Sequence, residues 1–189
     1  MAYLVVIIAG LAFGAADQFL GTIRFGPWAW TVSGMSAPWL VLPFVVGITQ
    51  ERSRRAMALG LGVTLAALAG YFAMTYSPME GVPTDRFFKG VFTMVTTGYN
   101  PLWIVSGLVT GPLYGFLGHR WRVARSWISA ALVTSALCFE LLARGFVGML
   151  TPHPFVWWAE IGIGAVVAVV FAFMITTSRR ARETVPPSS

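Results

Sequence analysis

Glu140 and Arg144 stand four residues apart in CFELLARGFV, residues 138–147, a stretch that is otherwise apolar. On a helix this spacing puts them one turn apart on one face, with the acid on the favourable N-terminal side. At membrane depth each charge costs at least ~2.5–3.5 kcal/mol on insertion scales. Two more acids fall in comparable places: Asp17, with Gln18 beside it, closes the first apolar stretch, and Glu160 opens the last. Carboxylates grouped in this way hold cationic or hydrogen-bond-donating groups. Trp28, Trp30, Tyr76, Tyr99, Trp103, Trp157 and Trp158 cluster near the same ends of their stretches. Such aromatics form headgroup belts, and their faces also attract flat cations. The candidate ligand-binding residues are therefore Asp17, Gln18, Trp28, Trp30, Glu140, Arg144, Trp157 and Glu160. The expected ligand is a cationic heteroaromatic of the thiamine type. Arg144 orients Glu140 or meets an anionic group. The plainer reading of the same residues is mutual neutralisation of Glu140 and Arg144, with Arg144 reaching to the interface.

The elements that must position these groups are membrane helices. Of 189 residues, 57% are hydrophobic and 11% charged, against ~25% charged in a soluble domain. A span needs ~20 mostly apolar residues. Six stretches qualify, near Tyr3–Leu20, Trp28–Thr49, Ala56–Tyr76, Pro101–Gly118, Ser126–Val147 and Val156–Thr177. The expected fold is all-α, a bundle of six transmembrane helices over residues 1–178, with residues 179–189 a basic, disordered cytoplasmic tail. Basic residues in short loops mark the cytoplasmic side. Arg52, Arg54, Arg55, Arg120, Arg122, Arg125, Arg179, Arg180 and Arg182 fall on one side; Arg24, Arg86, Lys89 and Arg144 fall on the other. Both termini are thus expected inside, with Asp17, Glu140 and Glu160 converging on the outer leaflet. Trp121 and Trp127 read as anchors at the inner interface.

The second stretch, PWAWTVSGMSAPWLVLPFVVG, carries Pro27, Pro38 and Pro43 beside Gly34. An internal proline removes a helix hydrogen bond and crowds the preceding turn. Gly34 and Pro38 therefore predict a break or kink. Irregular backbone at membrane depth survives where protein or a wet cavity receives its polar groups, and interrupted spans point to binding sites. Between the third and fourth stretches, Phe87, Phe88, Val91, Phe92 and Val95 recur at helical spacing, with Thr84 or Asp85 as a cap. This predicts an amphipathic helix that lies on the lipid or covers the outer cavity. Gly107, Gly111 and Gly115, like Gly10 and Gly14 or Ala12 and Ala16, form small-residue ridges that permit close helix packing within the chain or against a partner.

Several functions lack their motifs. There is no phosphate-binding GxxxxGK[ST] loop, no dinucleotide GxGxxG, no HExxH and no GxSxG nucleophile turn. Cys138 is the only cysteine, so neither an internal disulfide nor a cysteine zinc site can form. His119 and His153 lie at opposite ends of the expected bundle. No catalytic residue, metal or cofactor is assigned, and the protein is not expected to be an enzyme. The positive net charge lies at helix ends and does not imply nucleic-acid binding.

The six spans, arginine-rich inner loops and outward polar–aromatic cluster resemble the substrate-binding S components of energy-coupling-factor vitamin transporters. GAADQFLGTIRFGPWAWTVSGMSAPWLVLPFVVG and VSGLVTGPLYGFLGHRWR also resemble a family of uncharacterised bacterial membrane proteins of S-component-like layout. The resemblance implies a multi-pass protein of the bacterial cytoplasmic membrane that captures a vitamin-like solute. It also implies partners, a transmembrane coupling subunit and ATPases. The A-x-x-x-A docking signature of S components has a loose counterpart in Ala12 and Ala16. Two other functions remain open: an accessory subunit of a membrane complex, with glycine ridges carrying the partner contact, and a stand-alone carrier with Glu140 and Glu160 as proton sites.

Overall fold

A computed structural model describes residues 2–22, 26–83, 86–98, 100–146 and 153–183. Over these the chain is helical and has no strand. The helices are α1 (Ala2–Thr22), α2 (Pro27–Ser33), α3 (Ala37–Ile48), α4 (Ser53–Thr75), α5 (Phe87–Thr96), α6 (Asn100–Ala124), α7 (Trp127–Phe146) and α8 (Pro154–Glu183), with a 3₁₀ turn at Pro78–Glu80. Five of them, α1, α4, α6, α7 and α8, contain a stretch long and apolar enough to cross a membrane.

α4 is the central post. α1, α3 and α6 pack on it, α3 also meets α6 and α7, and α8 lies outermost against α7. Small residues set these approaches. A Cβ at Gly14 would run into the Ala67 carbonyl of α4, and one at Gly115 would meet the backbone of Ala56. Only glycine lets these backbones come so close. The glycine ridges on α1 and α6 are thus used within the chain, whereas Ala12 and Ala16 stay exposed.

The end of the bundle that carries the α3–α4 and α6–α7 turns is solidly filled. Phe44, Leu117, Trp121, Ala130 and Val133 form its core, with Phe171 of α8 packed against it. Trp121, expected as an interfacial anchor, is only 2% exposed. Its ring centroid lies 4.2 Å from that of Phe171. The physical reason is helical phase: Trp121 follows Leu117 by one turn on the buried face of α6, so its ring continues the core. Trp127 is exposed, as an anchor requires. The α3–α4 turn is fastened by α6. His119 Nδ1 lies 3.0 Å from the Gln50 carbonyl oxygen, and Arg122 donates to the Thr49 carbonyl oxygen at 3.0 Å.

The second stretch breaks where Gly34 and Pro38 predict, into the pair α2 and α3 parted at Gly34–Ser36. The last stretch needs correction: its helix does not stop before residue 179, and α8 continues to Glu183. Arginine, alanine and glutamate are good helix formers, and arginines near a helix C-terminus complement its dipole. α5 forms over the expected residues and packs on α4 and α6. Gly90 sits against the Tyr76 ring, while Phe88 and Phe92 stay exposed. Thr84, Asp85, Arg24 and Tyr99 lie outside the described residues.

Candidate functional site

The site begins with the orphaned backbone groups of the α2–α3 break. In an unbroken helix the residue-38 N–H would bond to the carbonyl of residue 34. Pro38 has no N–H, so that acceptor is released. Pro38 instead occupies the first turn of α3, where its N–H would lack a partner in any case. The chain turns through Gly34–Ser36, with the Gly34 N–H bonded to the Trp30 carbonyl and the Met35 N–H to the Val32 carbonyl, each at 3.1 Å. The Gly34 carbonyl at the end of α2 and the Ser36 and Ala37 N–H groups at the start of α3 still need partners.

Glu140 and Arg144 supply them from α7. Glu140 Oε1 accepts from the Ser36 N–H at 2.5 Å, and Oε2 accepts from the Ala37 N–H at 2.7 Å. Arg144 Nε donates to Glu140 Oε1 at 2.7 Å. Arg144 Nη2 donates to the Gly34 carbonyl, and to Ser36 Oγ at 3.1 Å. The acid thus meets the positive end of α3 and the base meets the negative end of α2, matching both helix dipoles. The bonds are charge-assisted, and such bonds are roughly twice as strong as neutral ones. Trp157 of α8 underlies the guanidinium, 5.6 Å from ring centroid to Cζ, in cation–π contact. Met35, Val156 and Trp157 pack together beside it.

On the other side of the break lies a cavity of about 400 Å³. This is within the ~300–1,000 Å³ of small-molecule sites. It is built where α1 and α4 finish and α6 begins. Asp17 lies in its wall, and Trp39, Tyr71 and Trp103 give it aromatic faces. Trp39 is set edge-on to Phe13 and to Tyr71, with centroid distances of 5.4 and 6.0 Å. Its Nε1 donates to Asp17 Oδ2 at 3.3 Å. This is the one hydrogen bond to this carboxyl group among the described residues, and it leaves most of the lone-pair sites of buried Asp17 open to a guest. Ser33, Ser106 and Thr110 add hydroxyls, and Gly34 and Ser36 contribute the wall shared with the clamp.

The eight expected residues therefore divide. Glu140, Arg144, Trp157 and Glu160 gather on the α7–α8 side of the break. Asp17 stands alone on the cavity side. Gln18, Trp28 and Trp30 do not line this cavity, and Trp28 and Trp30 are exposed. Small Ala29 and Thr31 take the buried positions of α2 instead. Among the described residues, none from α5 lines the cavity. Sequence reasoning missed Trp39 and Tyr71. The signal for Trp39 was its place directly after Pro38, on the first turn beyond the break.

Architecture and chemistry together define a multi-pass α-helical membrane protein with a polar cleft at a helix break. The chain belongs to a family of unknown function, DUF6518, whose model matches residues 1–186. No curated protein and no solved structure matches it.

Proposed function

We propose that the chain is the membrane-embedded solute-binding subunit of a small-molecule importer, with the cavity at Asp17 as its site. The observation that carries this reading is the pairing of a buried, under-bonded carboxyl group with three aromatic side chains in one cavity of about 400 Å³. A cationic heteroaromatic of the thiamine type satisfies both features: its charge meets Asp17, and its ring stacks among Trp39, Tyr71 and Trp103. Glu140 and Arg144 shape the wall rather than touch the solute. The reading assigns no catalytic step to the chain.

In this reading the chain crosses the bacterial cytoplasmic membrane six times, with α2 and α3 together making the second crossing. Laid end to end at ~1.5 Å per residue, their seven and twelve residues reach roughly 28 Å, close to the ~30 Å hydrocarbon core. The arginine-rich turns face the cytoplasm, so both termini are inside and the cavity opens outward. Ala12 and Ala16 are exposed on α1, which supports the resemblance to S components and a coupling subunit docked there. An accessory subunit is the second reading: Glu140 ties α7 to α3, as that reading expects of the carboxylates, but Gly14, Gly111 and Gly115 pack against α4 and are not free to meet a partner.

The test is thermal unfolding of the purified protein with a panel of thiazolium and pyridinium compounds, repeated on Asp17→Asn. At a hundredfold excess over Kd a ligand stabilises by ~2.7 kcal/mol. The reading requires a compound that raises Tm in the parent and has no effect on Asp17→Asn. Equal stabilisation of both proteins, or of neither by any of these cations, overturns it.

A further inference from the structure

Glu160 takes no part in the clamp, although it stands beside it. It lies in the second turn of α8 and is 4% exposed. Neither of its oxygens meets a hydrogen-bond donor. Glu140 and Arg144 of α7 are close enough for both charges to act on it. α8 also touches α2, whose residues PWAWTVS include no titratable group. The donors that make the clamp are committed, and the buried Trp157 Nε1, three residues earlier on α8, reaches neither Glu160 oxygen and has no partner of its own. The nitrogens Nε and Nη2 of Arg144 serve Glu140, Gly34 and Ser36, and the Ser36 and Ala37 N–H groups serve Glu140. Ionised, the two carboxylates and one guanidinium would leave an uncompensated negative charge out of reach of water, among the costliest arrangements in a protein interior. A cation must offset it. A metal ion needs several oxygen or nitrogen ligands, and no group of three or more His, Cys, Asp or Glu among the described residues could hold one. A proton needs one lone pair.

We propose that Glu160 is a proton-binding site whose occupancy governs the Glu140–Arg144 clamp on the α2–α3 break. The proton comes from water at the cavity end of the bundle, bonds to one Glu160 oxygen and returns by the same route. Bound, it turns an acceptor-only carboxylate into an O–H donor, and the facing Glu140 carboxylate is its acceptor. Glu140 keeps its hold on α3, and Arg144 keeps its hold on α2. Released, it leaves a second carboxylate competing for Arg144 and drawing the guanidinium away from the Gly34 carbonyl and Ser36 Oγ. Gly34 and Ser36 also line the cavity, so proton release loosens the wall. The consequence for a solute rests on the proposed function; the proton site does not, and it is tested without any solute.

The experiment is infrared difference spectroscopy of the purified full-length protein, titrated between alkaline and acidic pH with glutamate carrying a ¹³C carboxyl label. The expected result is one labelled protonated-carboxyl band that titrates separately from exposed Glu51. The band persists in Asp17→Asn and is lost in Glu160→Gln. If Glu160→Gln does not fold, Glu160→Asp serves. It keeps a carboxyl group that aspartate supplies unlabelled, so the band moves to the unlabelled frequency. Two results overturn the proposal: absence of any separate glutamate band, or an unchanged band in the Glu160 variants. Stabilisation by sodium at constant pH, with no such band, overturns it as well by making the cation a metal ion.

Discussion

The two ends of the bundle solve opposite problems. At the arginine-rich end, charge stays at the surface and the interior is filled by Phe44, Leu117, Trp121 and Val133. At the cavity end, charge is drawn inside: Asp17, Glu140 and Glu160 are all buried. The difference originates in one local event, the release of backbone groups at Gly34–Ser36. A helix that runs unbroken satisfies itself and needs only apolar neighbours. A broken one must recruit polar partners, and these bring a polar cavity with them. The filled end is packed core, and the broken end holds a polar-lined cavity of about 400 Å³.

The largest expected effects probe this contrast directly. Glu140→Ala strips α3 of its cap and leaves Arg144 unpaired, which costs ~3–5 kcal/mol for a buried pair. Trp121→Ala opens a cavity in the filled end at a similar ~3–5 kcal/mol. Double-mutant cycles separate the two causes. Glu140→Ala combined with Arg144→Ala should depart from additivity by ~0.5–3 kcal/mol, whereas Trp121→Ala with Arg144→Ala should add. Chemical unfolding of the parent, the three single variants and the two double variants measures both. If Glu140 and Arg144 proved additive, the clamp would not be a unit.

Next in size is Gly14→Val. Its side chain must push α1 away from Ala67, a strain of ~1–3 kcal/mol, read as a lowered Tm. Retention of the parental Tm would mean that α1 and α4 do not approach as closely as described. Smaller again is Pro38→Ala. It restores an N–H that competes with Arg144 for the Gly34 carbonyl, and it should change stability by less than ~1 kcal/mol. Smallest is Glu51→Gln at the arginine-rich end. Glu51 meets Arg122 at 3.8 Å with its side chain 85% exposed, and exposed pairs at this distance contribute little. No shift in unfolding midpoint is expected. A shift as large as that of Glu140→Ala would erase the contrast between the ends.

The sequence makes some of this plain and hides the rest for identifiable reasons. The long helices follow from apolar runs, and the break follows from Gly34 and Pro38. Even the orphaned Gly34 carbonyl can be deduced, because Pro38 lacks the hydrogen that would reach it. What supplies its partner cannot, since Arg144 is more than a hundred residues away and only tertiary packing brings α7 to α2. Glu140 and Arg144 are conspicuous as a pair, but conspicuous polarity does not distinguish a clamp from a ligand site. Asp17 is the acid whose carboxyl group is left open to a cavity. Trp28 and Trp30 drew weight by composition, yet close packing of α2 turns Ala29 and Thr31 inward. Trp39 and Tyr71 look like ordinary membrane aromatics until α1, α3 and α4 are set side by side.

The most direct test of the central claim, a cavity open at one end of a bundle sealed at the other, uses cysteine accessibility. With Cys138→Ser as background the chain has no other thiol. Ser106→Cys places a probe in the cavity, and Ser129→Cys places one in the filled end, where Ser129 is fully buried. A membrane-impermeant maleimide added to intact cells should label Ser106→Cys and leave Ser129→Cys unreacted. An unreactive Ser106→Cys, or one labelled only from the cytoplasmic side, would contradict the account.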